Sequence, residues 1–293
     1  MSQFAFFGAV ELGLVFAFVA MGVYLAFRIL DFPDLTVDGS FPLGAAVAAV
    51  LILAGWNPWA ATGVAMLAGA CAGLVTAALN VQFRILNLLA SILTMIALFS
   101  VNLRIMGRPN IALINQDTML TPFYGHGLPD YYVRPLFVFV LVVIALLALW
   151  RFLESDIGLA MRATGANPRM ARAQGVKTNR LIYLGMAISN ALVALGGSLF
   201  AQTNGFADVT SGVGTIVVGL AAVIVGETLF RSRLLVIALI GCVAGSILYR
   251  IAIQTALSTD VLGLKASDLN LVTAVLVAIA LILPRLRRGG ASA

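Results

Sequence analysis

Asp34 and Asp38 stand four residues apart in the stretch Asp31-Phe32-Pro33-Asp34-Leu35-Thr36-Val37-Asp38-Gly39-Ser40-Phe41-Pro42-Leu43-Gly44, between long apolar runs. Pro33 and Pro42 disfavour a continuous helix, and Gly39 eases a turn. Ser40 or Asp38 is placed to cap a helix that begins near Leu43. Two arrangements satisfy this pattern. One is a cytoplasmic turn with solvated acids. The other is a helix broken inside the membrane, its polar turn (Asp34, Thr36, Asp38, Ser40) lining a solute path. Irregular backbone at membrane depth survives only where protein or a water-filled cavity satisfies it. On that second reading the acids could meet an amine, and the helix N-terminus would suit a carboxylate.

The other polar residues within apolar runs are Glu11, Asn80, Asn87, Asn102, Asn190 and Glu227. Ionisable groups at that depth are expensive and usually face a bundle interior or an aqueous path. Glu227 lies four residues before Arg231, a helical ion-pair spacing. Asn102 and Asn190 read first as interhelical hydrogen-bond partners. So does Asn87, which is also a candidate for the path. Phe and Met residues on the spans read as packing.

Covalent chemistry has little material. The chain has one histidine, His126, and two cysteines, Cys71 and Cys242, both within apolar runs where they read as small buried residues. It lacks an H-E-x-x-H or C-x-x-C metal motif and a nucleophile–His–acid set. No G-x-x-x-x-G-K-[ST] loop is present to hold nucleotide phosphates. If ATP drives anything here, another polypeptide binds it.

These residues must be positioned by membrane helices. The hydrophobic fraction is 61%, the charged fraction 10% and the mean hydropathy +1.05, whereas a soluble domain carries about 25% charged residues. Apolar runs near the ~20 residues that cross a bilayer recur throughout. They predict spans at 5–27, 41–55 (short for a full crossing), 59–80, 85–105, 134–153, 180–202, 213–230, 234–254 and 269–284. The fold class is all-α: one polytopic transmembrane domain over 1–293, with about 8–10 membrane helices including a possible broken or re-entrant segment at 28–41. The first run lacks a basic leader and a clear cleavage site, so it reads as a span. The net charge of +6 sits in loops, as membrane orientation explains without nucleic acid. If 154–179 is cytoplasmic, Arg84, Arg231, Arg233, Arg285, Arg287 and Arg288 join it there. The N-terminus is then outside if both of the first two runs cross. The small-xxx-small patterns Gly69–Gly73 and Gly241–Gly245 predict close helix packing, mainly within the chain.

The loop 154–179 is organised. Asn167 can cap free N–H groups, Pro168 suits the first helical position, and Gly175 suits the stop. About two turns, Pro168–Gln174, lie between them and are too short to be stable alone. Such a helix needs something to pack against. Arg162, Arg169 and Arg172 supply charge, and Met161, Met170 and Val176 supply apolar contacts.

Gly158-Leu159-Ala160-Met161-Arg162-Ala163, Ala171-Arg172-Ala173-Gln174-Gly175-Val176 and Ala194-Leu195-Gly196-Gly197 resemble the membrane subunits of ATP-binding-cassette importers. The resemblance is to the branched-chain amino acid and ribose permease superfamily, and it covers nearly the whole chain. Asp31–Gly44 and Met106-Gly107-Arg108-Pro109-Asn110-Ile111 resemble a subgroup linked to amino-acid uptake, some of it tryptophan-type. Glu227 departs from the ribose-type proteins, which tend to have glycine there. The resemblance implies a type II ABC-importer-like bundle and favours the path reading of the acidic stretch. It implies that Gly158, Met161, Arg162, Asn167, Pro168, Arg169, Met170, Arg172 and Gly175 belong to a coupling element docked on the ATPase. The implied partners are two ATPase subunits holding ATP and Mg, an extracytoplasmic solute-binding protein at outer loops including 106–133, a second permease copy, and the lipid of a bacterial inner membrane. No cofactor is expected on this chain. The expected substrate is a small polar solute, an amino acid or related amine. The rival reading is an ion-coupled transporter acting alone, with Asp34, Asp38 and Glu227 as coupling residues.

Overall fold

The apolar runs become helices whose ends are set by local signals. The computed structural model describes residues 3–123, 129–230 and 234–258. The expected span at 269–284, His126, Arg231, Arg233, Arg285, Arg287 and Arg288 lie outside the described residues. Seven helical stretches within them are long and apolar enough to cross a membrane, and Val37–Leu53 is a shorter apolar helix. The helices are α1 (Gln3–Val23), α2 (Val37–Leu53), α3 (Pro58–Val81), α4 (Asn87–Met106), α5 (Asp130–Glu154), α6 (Asp156–Ala166), α7 (Pro168–Ala173), α8 (Thr178–Asn204), α9 (Thr215–Leu229) and α10 (Leu235–Ser258). α1 continues without a break into a π-helical turn, Tyr24–Ile29.

The all-α expectation needs one addition. Two three-residue strands, β1 (Asn110–Ala112) and β2 (Phe206–Asp208), pair antiparallel with Asn110 opposite Asp208. Such strands are too short to show alternation in a sequence. Gly107 (φ +69°) and Gly205 (φ +76°) end α4 and α8 in left-handed caps and turn the chain into each strand. The ribbon lies at the end of the bundle opposite α6 and α7. The start of α1 is also at that end, where Phe4 and Phe7 meet Tyr131 and Tyr132 at the start of α5.

α8 is the central helix. Glycines let α2 and α3 approach its backbone closely, the packing that lipid-embedded helices favour. A Cβ added at Gly197 would land on the Phe41 carbonyl, and one at Gly44 on the Ala194 carbonyl. The Gly69–Gly73 pair meets the Asn190 and Met186 carbonyls of α8. Gly241 and Gly245 press on Gly226 and Ala222 of α9. Both small-residue patterns are therefore used within the chain. Leu67 and Val75 of α3, Ile96 of α4, and Leu136 and Ile144 of α5 remain exposed, as expected of surfaces facing lipid.

The predicted helix start near Leu43 is corrected. α2 begins at Val37 and carries Pro42 inside its second turn. Pro42 has no N–H to offer the Asp38 carbonyl. That carbonyl instead faces Gly212, where any Cβ would strike it and the Pro42 ring.

Candidate functional site

At one end of the bundle, α6 and α7 form a two-helix hairpin between α5 and α8. The Ser155 hydroxyl caps α6 through the Gly158 N–H. The Asn167 side chain caps α7, accepting from the Met170 N–H at 3.0 Å, with Pro168 at the first helical position. Gly175 follows at φ +81°. The expected two-turn helix is thus present, and a longer helix, not foreseen, precedes it.

The residues of the coupling set divide by exposure. Asn167, Pro168, Arg169, Met170, Arg172 and Gly175 are exposed, and Met170 is 62% accessible, high for a side chain its size. Arg162 is half-buried. Met161 and Gly158 are buried, so within the coupling set they pack inward and not on its outer face. Met161 is fully covered, its sulfur close above Gly185 of α8. Gly158 lies so close to the Phe152 carbonyl that a Cβ would collide with it. These two seat the hairpin, while α7 presents its surface. Arg172 Nε donates to Thr178 Oγ1 at 2.8 Å and ties α7 to the start of α8. Gly165 presses on the Ile29 carbonyl, so α6 also rests on the end of the π-helical turn. A shallow groove between α6 and α8 is lined by Ile157, Ala160, Leu181 and Leu184, with Lys177 and Arg180 at its rim.

Inside the bundle, the acidic stretch forms a buried connection that leads into α2. Phe32, Asp34 and Thr36 are buried between the end of the π-helical turn and α2. Asp34 Oδ1 accepts from the Thr36 N–H at 2.9 Å, and Oδ2 accepts from Asn190 Nδ2 at 2.8 Å. Ser40 Oγ donates to Asn190 Oδ1 at 2.7 Å, and the Thr36 and Thr76 hydroxyls are 2.8 Å apart. Asp34, Thr36 and Ser40 are thereby joined to α3 and α8. Asp38 does not cap its own helix. Its carboxylate accepts from the N–H groups of Gly214 (3.1 Å) and Ile216 (2.7 Å), capping α9, where a negative charge suits the helix dipole. Asn102 Nδ2 donates to the Gly39 carbonyl, an interhelical role like that expected for it and Asn190.

Asn87 is not part of this group. It opens α4 and accepts from Asn80 Nδ2 at 2.6 Å, beside the turn that carries Arg84. Glu227 pairs with Arg28; Arg231, the neighbour expected from spacing, lies outside the described residues. Both nitrogens Nε and Nη2 of Arg28 face its carboxylate, joining α9 to the π-helical turn. This pair is largely exposed, so it contributes little stability.

Sequence reasoning missed a second polar seam near the ribbon end. Thr62 and Ser198 are 3.0 Å apart, Gln202 Nε2 donates to Thr62 Oγ1, and Gln202 Oε1 accepts from the Met119 N–H. This holds Met119 and Leu120 of the 107–123 loop inside the bundle. At the ribbon, partial burial pushes the Asp208 carboxyl up. Hydrogen bonds from Thr210 and Asn110 outweigh this and hold it below the usual carboxylate range.

Residues 6–283 match the family described as branched-chain amino acid transport system, permease component. The chain belongs to that family. Over 90% of this permease and 86% of the relative, it is 40% identical to a tyrosine transport system permease protein of Clostridioides difficile (strain R20291). A ribose import permease protein of Escherichia coli (strain K12) is 26% identical over 67% of this chain and 60% of its own. The structure of PsaBC from Streptococcus pneumoniae in complex with Fab aligns with a TM-score of 0.51 at 15% identity, covering 96% of this chain and 91% of that one. That likeness concerns the fold alone. The chain is a multi-pass membrane permease component of an ABC transporter, in keeping with its family and with the seven helices among the described residues that are long and apolar enough to cross a membrane.

Proposed function

We propose that the permease imports an amino acid of the tyrosine type as one of two identical membrane subunits in a bacterial inner membrane. Two ATPases holding ATP and Mg dock on the α6–α7 hairpins, and a solute-binding protein delivers the substrate at the ribbon end. The observation that carries this reading is α7 itself. A six-residue helix is too short to persist unsupported, yet it is capped at both ends and exposes Arg169, Met170 and Arg172. Its apolar and cationic surface suits a groove on another protein. The 40% identity to a tyrosine permease supports the substrate class.

Closure of the ATPases would push α7 and α6. Gly165 then bears on Ile29, and Arg28 carries the movement to Glu227 of α9. Asp34, Thr36, Asp38 and Ser40 sit where α2, α3, α8 and α9 meet, so the movement would be felt there. Asn87 belongs to the cytoplasmic rim of the path in this reading. The chain performs no covalent step.

The test is uptake of labelled L-tyrosine into proteoliposomes containing the permease, its ATPase and internal ATP, with the solute-binding protein outside. Uptake that needs all three proteins and ATP is expected. Uptake by the permease alone, driven by a proton or sodium gradient, would replace this reading with the ion-coupled one.

A further inference from the structure

Arg250 lies on α10, two turns before the end of the described helix, and it is not at the membrane surface. Its guanidinium carbon is 4.0 Å from the centre of the Phe16 ring. Phe16 is the central residue of the Gln3–Ile29 stretch and is itself 4% exposed. Arginine side chains near helix ends normally extend toward the headgroups. This one folds the opposite way, over the midpoint of α1.

A guanidinium at that depth is expensive without a counter-charge. Within the described residues none meets it. Nε is buried with no hydrogen-bond partner, and the neighbouring titratable group is the Tyr249 phenol, not a carboxylate. Among the described residues, the acids of the membrane region are held elsewhere. Asp34 is held by Asn190 and Thr36, Asp38 caps α9, and Glu227 pairs with Arg28. Glu11 faces Arg134. A second copy brings the same described acids, held in the same way. Lipid phosphates lie about 15 Å from the midplane, half the hydrocarbon thickness. Phe16 stacks on Phe41, with centroids 5.4 Å apart, and Phe41 neighbours Phe200, which reaches Phe206 on β2. An aromatic row thus connects Arg250 with the start of α2 and the ribbon end.

We propose that Arg250 is the carboxylate anchor of the translocation path, the group that receives the solute's carboxylate near the membrane midplane. A planar guanidinium is suited to bidentate carboxylate recognition. Midplane sites are where transporters commonly hold their solutes. The inference rests on the import reading above, and it deepens that reading by naming what the solute must carry.

The experiment uses the complete importer in proteoliposomes, with L-tyrosine as probe and tyramine, which lacks the carboxylate, as its control. Arg250→Gln should assemble with the ATPase and lose tyrosine import about tenfold or more. Arg250→Lys should fall between Gln and wild type. Import by Arg250→Gln within twofold of wild type overturns the assignment. So does a loss confined to dimer assembly or lipid retention with import per assembled complex unchanged. If Arg250→Gln does not assemble, Arg250→Lys decides by the same criterion: lowered import in an assembled complex supports the anchor, and normal import overturns it. Wild-type import of tyramine at the tyrosine rate also overturns it. Wild-type failure to import tyrosine while importing a sugar or nucleoside removes the amino-acid reading itself, which the variants alone cannot do.

Discussion

The seam where α2 meets α3 and α8 and the hairpin of α6 and α7 make opposite use of their residues. In the seam, Asp34, Thr36, Ser40 and Asn190 are buried and bonded to one another, and glycines bring backbones into contact. In the hairpin, Arg169 and Met170 are exposed, and the local order comes from caps. Polar residues inside a membrane bundle must find partners within the chain, because hydrocarbon supplies none. A surface meant for another protein needs only enough order to hold its shape until that protein arrives. The comparison separates what this chain provides for itself from what it leaves for others.

Four variants would break or sharpen that contrast. The largest effect is expected from Gly197→Leu, which drives a side chain into the Phe41 carbonyl. Overpacking typically costs about 1–3 kcal/mol, and backbone contact places this site at the upper end. The monodisperse protein recovered from membranes should fall severely; recovery at the wild-type level would mean that α2 and α8 can separate freely. Next is the Arg169→Glu, Arg172→Glu double variant. It should fold normally and lose about tenfold or more of the ATPase that co-purifies with wild type, since a desolvated charge pair across an interface is worth ~2–5 kcal/mol when broken. Retention of the ATPase would remove α7 as the docking surface.

Asp34→Asn is intermediate. Its amide would present one NH2 group to the Asn190 or Thr36 donors, leaving a bond unmade at a cost of about 1–3 kcal/mol. A lower melting temperature in detergent and reduced uptake are expected, with the ATPase still bound. Unchanged uptake and melting would separate Asp34 from the path and from the seam alike. The smallest effect belongs to Asn167→Ala, which removes a cap worth ~1 kcal/mol. ATPase affinity should weaken a few-fold with no change in melting. A change in melting instead would show that the hairpin is part of the bundle's own stability.

The hairpin was the more legible of the two regions. Asn167-Pro168 and Gly175 act on the backbone next to them, so their meaning is contained in a few residues. The eight apolar helices of the described residues were legible as runs for the same reason. The partners of Asp34 and Arg28 were not, because Asn190 lies 156 positions away and Glu227 199. Glu227 was matched to Arg231 since only near neighbours can be paired by spacing. Pro42 misled because a proline inside a helix reads as a break. The carbonyl left without an N–H from Pro42 lies against a distant glycine, Gly212, a contact that no spacing in the sequence announces. The ribbon and the Thr62–Ser198–Gln202 seam were hidden likewise, being built from residues with no pattern of their own.

The π-helical turn at Tyr24–Ile29 widens the last part of α1 by one residue per loop of chain relative to an α-helix. Before it α1 is locked into the bundle by buried side chains; the last residues of the turn carry Arg28 and touch Gly165 through Ile29. A wider turn can tighten to an ordinary one, and tightening shifts everything beyond it along and around the axis while everything before it stays still. The first helix therefore has built-in slack at the place where the hairpin leans on it. On the import reading proposed above, a push arriving there would be taken up as rotation of a short end, leaving in place the glycine seams that hold the bundle together.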